Sequence, residues 1–241
     1  MFRLCAFFVA LALCGCGRSV QLREVLDQSS PDLPPAAGPI PVPFSAQAEH
    51  ECGPAALAMA LNWSNSSVTP SDLTPQVYLP DRKGTLQLDL VGAGRRNGRA
   101  VFPLQPKLRK LLAEVASGNP PIVLLNLGLS WLPVWHYAVV IGYSLPDEEI
   151  LIHSGRQADE TFSIGAFDRT WERAGRWAIL VLPADRAPTT VDRATVLRSL
   201  LALEEAGQLS PSESAYRAAL QRWPGDPEFQ FALGNLLYQQ Q

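Results

Sequence analysis

The chain has 241 residues, enough for one compact core and a small accessory module but too few for two large domains. Hydrophobic residues make up 47% and charged residues 18%, which excludes an intrinsically disordered chain. The net charge is −3, and no stretch is basic enough to form a nucleic-acid footprint, so that partner class is excluded.

At the N-terminus, Arg3 precedes an apolar run from Leu4 to Leu13 that ends in small residues around Gly15. The run is too short to span a bilayer and reads as a secretory signal over residues 1–15. Its end, Leu13-Cys14-Gly15-Cys16, resembles the lipobox of bacterial lipoproteins. That resemblance implies cleavage before Cys16 and acylation of that cysteine, which anchors the protein stably in a membrane. Gly17 lacks the acidic character that retains many lipoproteins at the inner membrane, which points to the periplasmic face of the bacterial outer membrane. With Cys5 and Cys14 removed and Cys16 acylated, Cys52 is the one thiol left and has no disulfide partner.

Residues 16–43 carry a Pro-rich stretch, Ser30 to Pro43, that reads as an extended tether, with the globular part starting near Phe44. A helix is expected from Cys52, with Pro54 in its first turn, through Leu61, then a loop from Asn62 to Pro70. Further helices are expected over Thr85–Arg96 and Lys107–Ser117. Apolar, β-branched strands follow at Ile122–Leu127, Tyr137–Tyr143, Ile150–His153 and Trp177–Leu182. Helices first and an antiparallel sheet afterwards indicate an α+β domain over residues 44–186. Two helical stretches are expected over 187–241. Leu203, Gly207, Tyr216, Ala219 and Pro224 resemble one tetratricopeptide repeat, and a plain helical hairpin is the alternative. So short an array cannot bury its own apolar face, so Phe229, Phe231, Leu236 and Leu237 must pack on the main domain or on a protein partner.

The chemistry concentrates in Gln47 and in Cys52-Gly53-Pro54-Ala55-Ala56-Leu57. A cysteine at a helix start meets free N–H groups that favour its thiolate, the nucleophilic form. The Cys52 N–H and the Gln47 amide can converge on one oxyanion. His136, at the start of a strand, can be held opposite such a helix start as the base of a Cys–His pair.

Gln47, the Cys52–Leu57 run and His136-Tyr137-Ala138-Val139-Val140-Ile141-Gly142-Tyr143 together resemble the papain-like bacteriocin-processing cysteine peptidases, family thirty-nine. The free-standing lipoprotein type with a tetratricopeptide tail is the nearest form. The resemblance implies a papain-like fold, Cys52 as nucleophile, His136 as general base and Gln47 as oxyanion donor. The family's Asp or Asn that orients the histidine is missing. Asp147 falls in a turn too far from His136, and Ser154 takes the matching position with His153 next. A Cys–His–His arrangement with His153 would resemble the cell-wall amidase type of papain-like enzyme, which leaves peptidoglycan stem peptides open as a substrate.

The expected function is therefore an exported, lipid-anchored cysteine peptidase acting on a peptide or protein. The alternative is a catalytically weak or inactive lipoprotein that binds peptides or assembles with partners. His50, Cys52, His136 and His153 form no tight paired motif, so neither a metal nor a cofactor is expected. Trp131 and Trp135 suit either a substrate groove or the core.

Overall fold

The computed structural model describes residues 18–27, 33–47 and 51–241. The signal segment, Cys16 and His50 lie outside the described residues. In chain order the elements begin with α1 (Val20–Leu26), β1 (Ala36–Ala37), α2 (Cys52–Trp63) and α3 (Pro70–Val77). Next come β2 (Tyr78–Leu79), β3 (Gly84–Thr85), α4 (Gln87–Arg96), β4 (Ala100–Pro103) and α5 (Leu108–Ala116). Then follow β5 (Pro121–Asn126), β6 (Trp135–Ser144), β7 (Glu149–Ser154), β8 (Gln157–Ser163), α6 (Ile164–Arg173) and β9 (Ala178–Leu182). Three helices end the chain: α7 (Arg193–Glu205), α8 (Leu209–Arg222) and α9 (Pro227–Gln239).

The apolar runs of the second half pair antiparallel, in the order β4-β9-β5-β6-β7-β8, with β1 added on β6. Helix α2 packs across β5, β6, β7 and β9. Every residue from Gly53 to Leu61 is buried, because its four alanines let backbone approach backbone on several sides. This is a mixed helix and antiparallel-sheet fold, as the sequence pattern indicated.

The expected helices and strands are present with ends shifted by one or two residues. Asn62 lies inside α2, and Pro70 opens α3, which the pattern did not announce. Its signal was there: the Thr69 side chain caps Asp72 N–H, and the Asp72 carboxylate returns to Thr69 N–H. Helix α6 also carried one, with Ser163 as its cap and Ile164, Phe167 and Trp171 buried at helical spacing. Strand β8 is a mostly exposed, polar edge, so it has little apolar alternation to read.

The Pro-rich segment differs from the expected free tether over its described part. Leu22 and Val25 of α1, then Leu33, Ile40 and Val42, are buried in the common core. Ile40 N–H donates to Ile141 O at 2.7 Å, Leu145 N–H to Pro35 O at 2.7 Å and Tyr143 O–H to Pro34 O at 3.0 Å. Prolines lack the N–H but keep the carbonyl, so this segment can still line a strand. Gly38 makes the close approach possible: its φ is +90°, and a Cβ there would collide with the Ile141 carbonyl. Packed chain thus begins well before Phe44.

The tail forms three helices rather than two. Helices α7 and α8 rest on β4, and α7 also on α4. Phe229 and Leu236 turn inward, with Phe229 stacked on Trp223 at 5.6 Å between ring centroids. Phe231, two residues on, points the other way and is 70% exposed, so of the two expected placements it does not take the one on the main domain. The junction is fastened by Glu114 of α5, whose side chain is fully buried. It accepts hydrogen bonds from Asn119 Nδ2, the N–H groups of Thr189 and Thr190, and Thr190 Oγ1.

Candidate active site

Cys52 is the first residue of α2 and is a free thiol. Pro54, three positions into the helix, lacks only an N–H that has no intrahelical acceptor there. His136 is the second residue of β6. Pairing of β6 with β7 starts at Val139, so the outer backbone edge of Tyr137 has no strand beside it. Side chains take its place: the Tyr137 N–H lies near enough to Cys52 to favour its thiolate, and Gln47 Nε2 donates to Tyr137 O at 3.3 Å. One peptide segment therefore carries the imidazole, faces the thiol and ties down the amide.

Gln47 is buried, and its own N–H donates to Gly155 O at 3.0 Å. That pins it to the turn that follows Ser154. Ser154 Oγ lies 2.8 Å from His136 Nε2, so the structure joins this predicted pair directly. With Nε2 held by Ser154, Nδ1 is the nitrogen left to face a thiol. In the neutral ring this assigns the proton to Nε2, donating to the serine oxygen.

His153 does something else. Its Nε2 donates to Val42 O at 2.9 Å, its Nδ1 accepts from Asp159 N–H at 3.2 Å, and Phe44 packs edge-on against the ring. Both nitrogens are engaged, Nε2 by the N-terminal segment and Nδ1 by the neighbouring strand β8. Asp147 bonds Ser144 in the β6–β7 turn, away from His136, as expected. No cluster of three metal-ligating side chains occurs among the described residues.

Burial pushes the Cys52 thiol above its ordinary pKa. The N–H groups of Tyr137, Gly53 and Cys52 itself pull it only part of the way back. The helix start thus favours the thiolate as expected, but desolvation outweighs it. Burial also lowers the pKa of His136. Both directions favour an uncharged thiol and imidazole over an ion pair.

Beside the thiol opens a cleft of about 540 Å³, lined by Cys52, Leu86, Leu124, Trp135 and Tyr137 among others. Thr85 of β3 closes on the helix start so tightly that a Cβ at Gly53 would overlap its side chain. The Tyr137 hydroxyl fixes that strand by donating to Thr85 O at 3.2 Å. Sequence reading did not find Thr85 or the Tyr137 backbone, since neither has a chemical signature of its own. Trp135 belongs to the cleft and Trp131 is 78% exposed, so neither is a core residue.

Comparisons with known proteins bear on the family and the fold. The model of the Peptidase_C39 like family matches residues 39–179, more than half of the chain. Among solved structures the fold is similar to a protein described as a C39-like peptidase from Bacillus anthracis. Identity is 17% and the TM-score 0.52, over 64% of this chain and 99% of that one. It is also similar to a double glycine motif protease from an AMS/PCAT transporter, solved with the leader peptide. That match has 24% identity and TM-score 0.46 over 60% of this chain and 92% of that one. The peptidase domain of Streptococcus ComA, a bi-functional ABC transporter in a quorum-sensing pathway, gives 19% and 0.46 over 58% and 96%. No curated protein is similar enough to count as a match. The chain belongs to the C39-like peptidase family.

Proposed function

We propose that this protein is an exported, lipid-anchored cysteine peptidase that hydrolyses peptide bonds with Cys52 and His136. The observation that carries this is the 2.8 Å contact of His136 Nε2 with Ser154, on the strand whose next residue, Tyr137, turns its N–H toward the Cys52 thiol. His136 Nδ1 takes the thiol proton as the sulfur attacks the carbonyl carbon of the substrate. The oxyanion meets the Cys52 N–H and the second amide hydrogen of Gln47. Imidazolium then protonates the leaving amine as the C–N bond breaks. Water, deprotonated by the same ring, releases the acyl group from sulfur. Ser154 needs only to accept from Nε2–H throughout, which a hydroxyl does without charge.

Cleavage of a mixed peptide library by the full chain tests this. Wild type is expected to cut and Cys52→Ala to be inactive, with iodoacetamide labelling Cys52 and abolishing the wild-type rate. A wild type that binds peptides and cuts none would instead support the peptide-binding lipoprotein reading.

Anchoring rests on the Leu13–Cys16 lipobox. No helix among the described residues is long and apolar enough to cross a membrane. In this reading acylated Cys16 holds the enzyme at the periplasmic face of the outer membrane. The tail, residues 187–241, presents a tetratricopeptide-like surface to a protein partner. Labelled palmitate should enter the wild type and not Cys16→Ser, which should leave the membrane fraction. Persistent labelling of Cys16→Ser would show the anchor to be elsewhere.

A further inference from the structure

The cleft beside Cys52 has a definite chemistry. Leu86, Leu124, Trp135 and Ala174 supply apolar surface, and among the described residues the charged side chains that line it are Arg82 and Lys83. Beyond Trp135 the β5–β6 loop continues the apolar surface. Residues 127–135 contain no charge, and Leu129, Trp131, Leu132 and Val134 are all exposed. So much contiguous apolar surface in water signals a binding role.

The loop is held in one shape. Buried Asn126 accepts from the N–H groups of Gly128 and Val134, each at 3.0 Å, and donates to Leu129 O at 3.3 Å. Arg173 in turn donates to Asn126 O at 2.9 Å. An apolar surface fixed in advance binds without having to be ordered first. Leu86 of the cleft lining is partly exposed, and Leu88, two residues on, is 82% exposed.

We infer that the cleft selects an extended peptide with a large apolar residue beside the bond to be cut and an acidic residue close by. The apolar side chain enters between Leu86 and Trp135, over Leu124 and Ala174. The acidic side chain meets Arg82 and Lys83, and the rest of the peptide follows the uncharged loop past Trp131. Charge complementarity and continuity with the thiol favour a peptide over a lipid surface as occupant. The inference rests on the peptidase reading of Cys52, but binding can be measured apart from cleavage.

The test uses detergent-solubilised full chain and fluorescent decapeptides in which the central Leu is exchanged for Ser and the neighbouring Asp for Lys. Binding is read by anisotropy on Cys52→Ala, and cleavage as kcat/KM on the wild type. Leu→Ser in the peptide should weaken both by about tenfold or more, and Asp→Lys by about fivefold. Trp135→Ser should abolish the preference for Leu, and the double variant Arg82→Glu, Lys83→Glu should reverse the preference for acid. Equal binding and cleavage of all the peptides would overturn the inference while leaving the peptidase reading intact. The expected binding preferences without any wild-type cleavage would sustain the inference and sink the peptidase reading. Absence of peptide preference, together with Trp131-dependent binding to vesicles of anionic phospholipid, would assign the loop to a bilayer and overturn the inference.

Discussion

Replacing His136 with Ala is expected to lower the peptidase rate by about 10³-fold, with little change in peptide binding. The reason lies in the two shifts at the site. Burial raises the thiol pKa and lowers that of the imidazole, so the thiolate is scarce until the base removes its proton. Ser154→Ala removes one hydrogen bond between uncharged partners and should cost about two- to tenfold. Ser154→Asp tests the sign of the electrostatics. His136 must be unprotonated to act, and its lowered pKa lets the wild type work below the ordinary histidine value of about 6.5. A carboxylate at 154 stabilises imidazolium, so the acid limb of the rate should move upward by about one pH unit. Buried beside an uncharged ring it should also lower the melting temperature. Rate–pH profiles and thermal melts of the three variants check this. An acid limb unmoved in Ser154→Asp would show that Ser154 does not orient the base.

The largest effect on stability should come from Glu114→Ala. The carboxyl lies in a site closed to water and satisfies four donors, three of them on Thr189 and Thr190. Without it those part-buried N–H groups lose their acceptor, or the junction between β9 and α7 opens. Arg222 of α8 holds the same turn through the Pro188 and Thr189 carbonyls, and Arg186 holds Asn119, so the loss spreads through connected partners. A cost of about 3 kcal/mol is expected, which lowers the melting temperature by about 6–12 °C in a chain of this size. Urea midpoints and calorimetry measure it. Because Glu114 is remote from Cys52, low-temperature activity should survive. A melting temperature within about 2 °C of wild type would show that the junction contributes little.

Local pattern was enough to place Cys52 at a helix start and His136 at a strand start. The apolar run after Cys52, with Pro54 in its first turn, marks a helix start, and the β-branched run after His136 marks a strand start. Both are decided by residues within one or two turns of the position itself. The antiparallel return of β7 could likewise be counted along the chain, which is why Ser154 was legible beside His136. Other features depend on where distant elements stop. The Tyr137 backbone receives Cys52 and Gln47 only because β7 pairing begins at Val139, and no side-chain pattern records that limit. The assignment of His153 to the N-terminal segment required Val42 to be folded against the sheet, which a Pro-rich composition argued against. The thiol's pKa followed the same rule. The helix start that favours the thiolate is local and readable, whereas the burial that outweighs it is the summed effect of chain segments far apart in sequence, and only the tertiary structure brings them together.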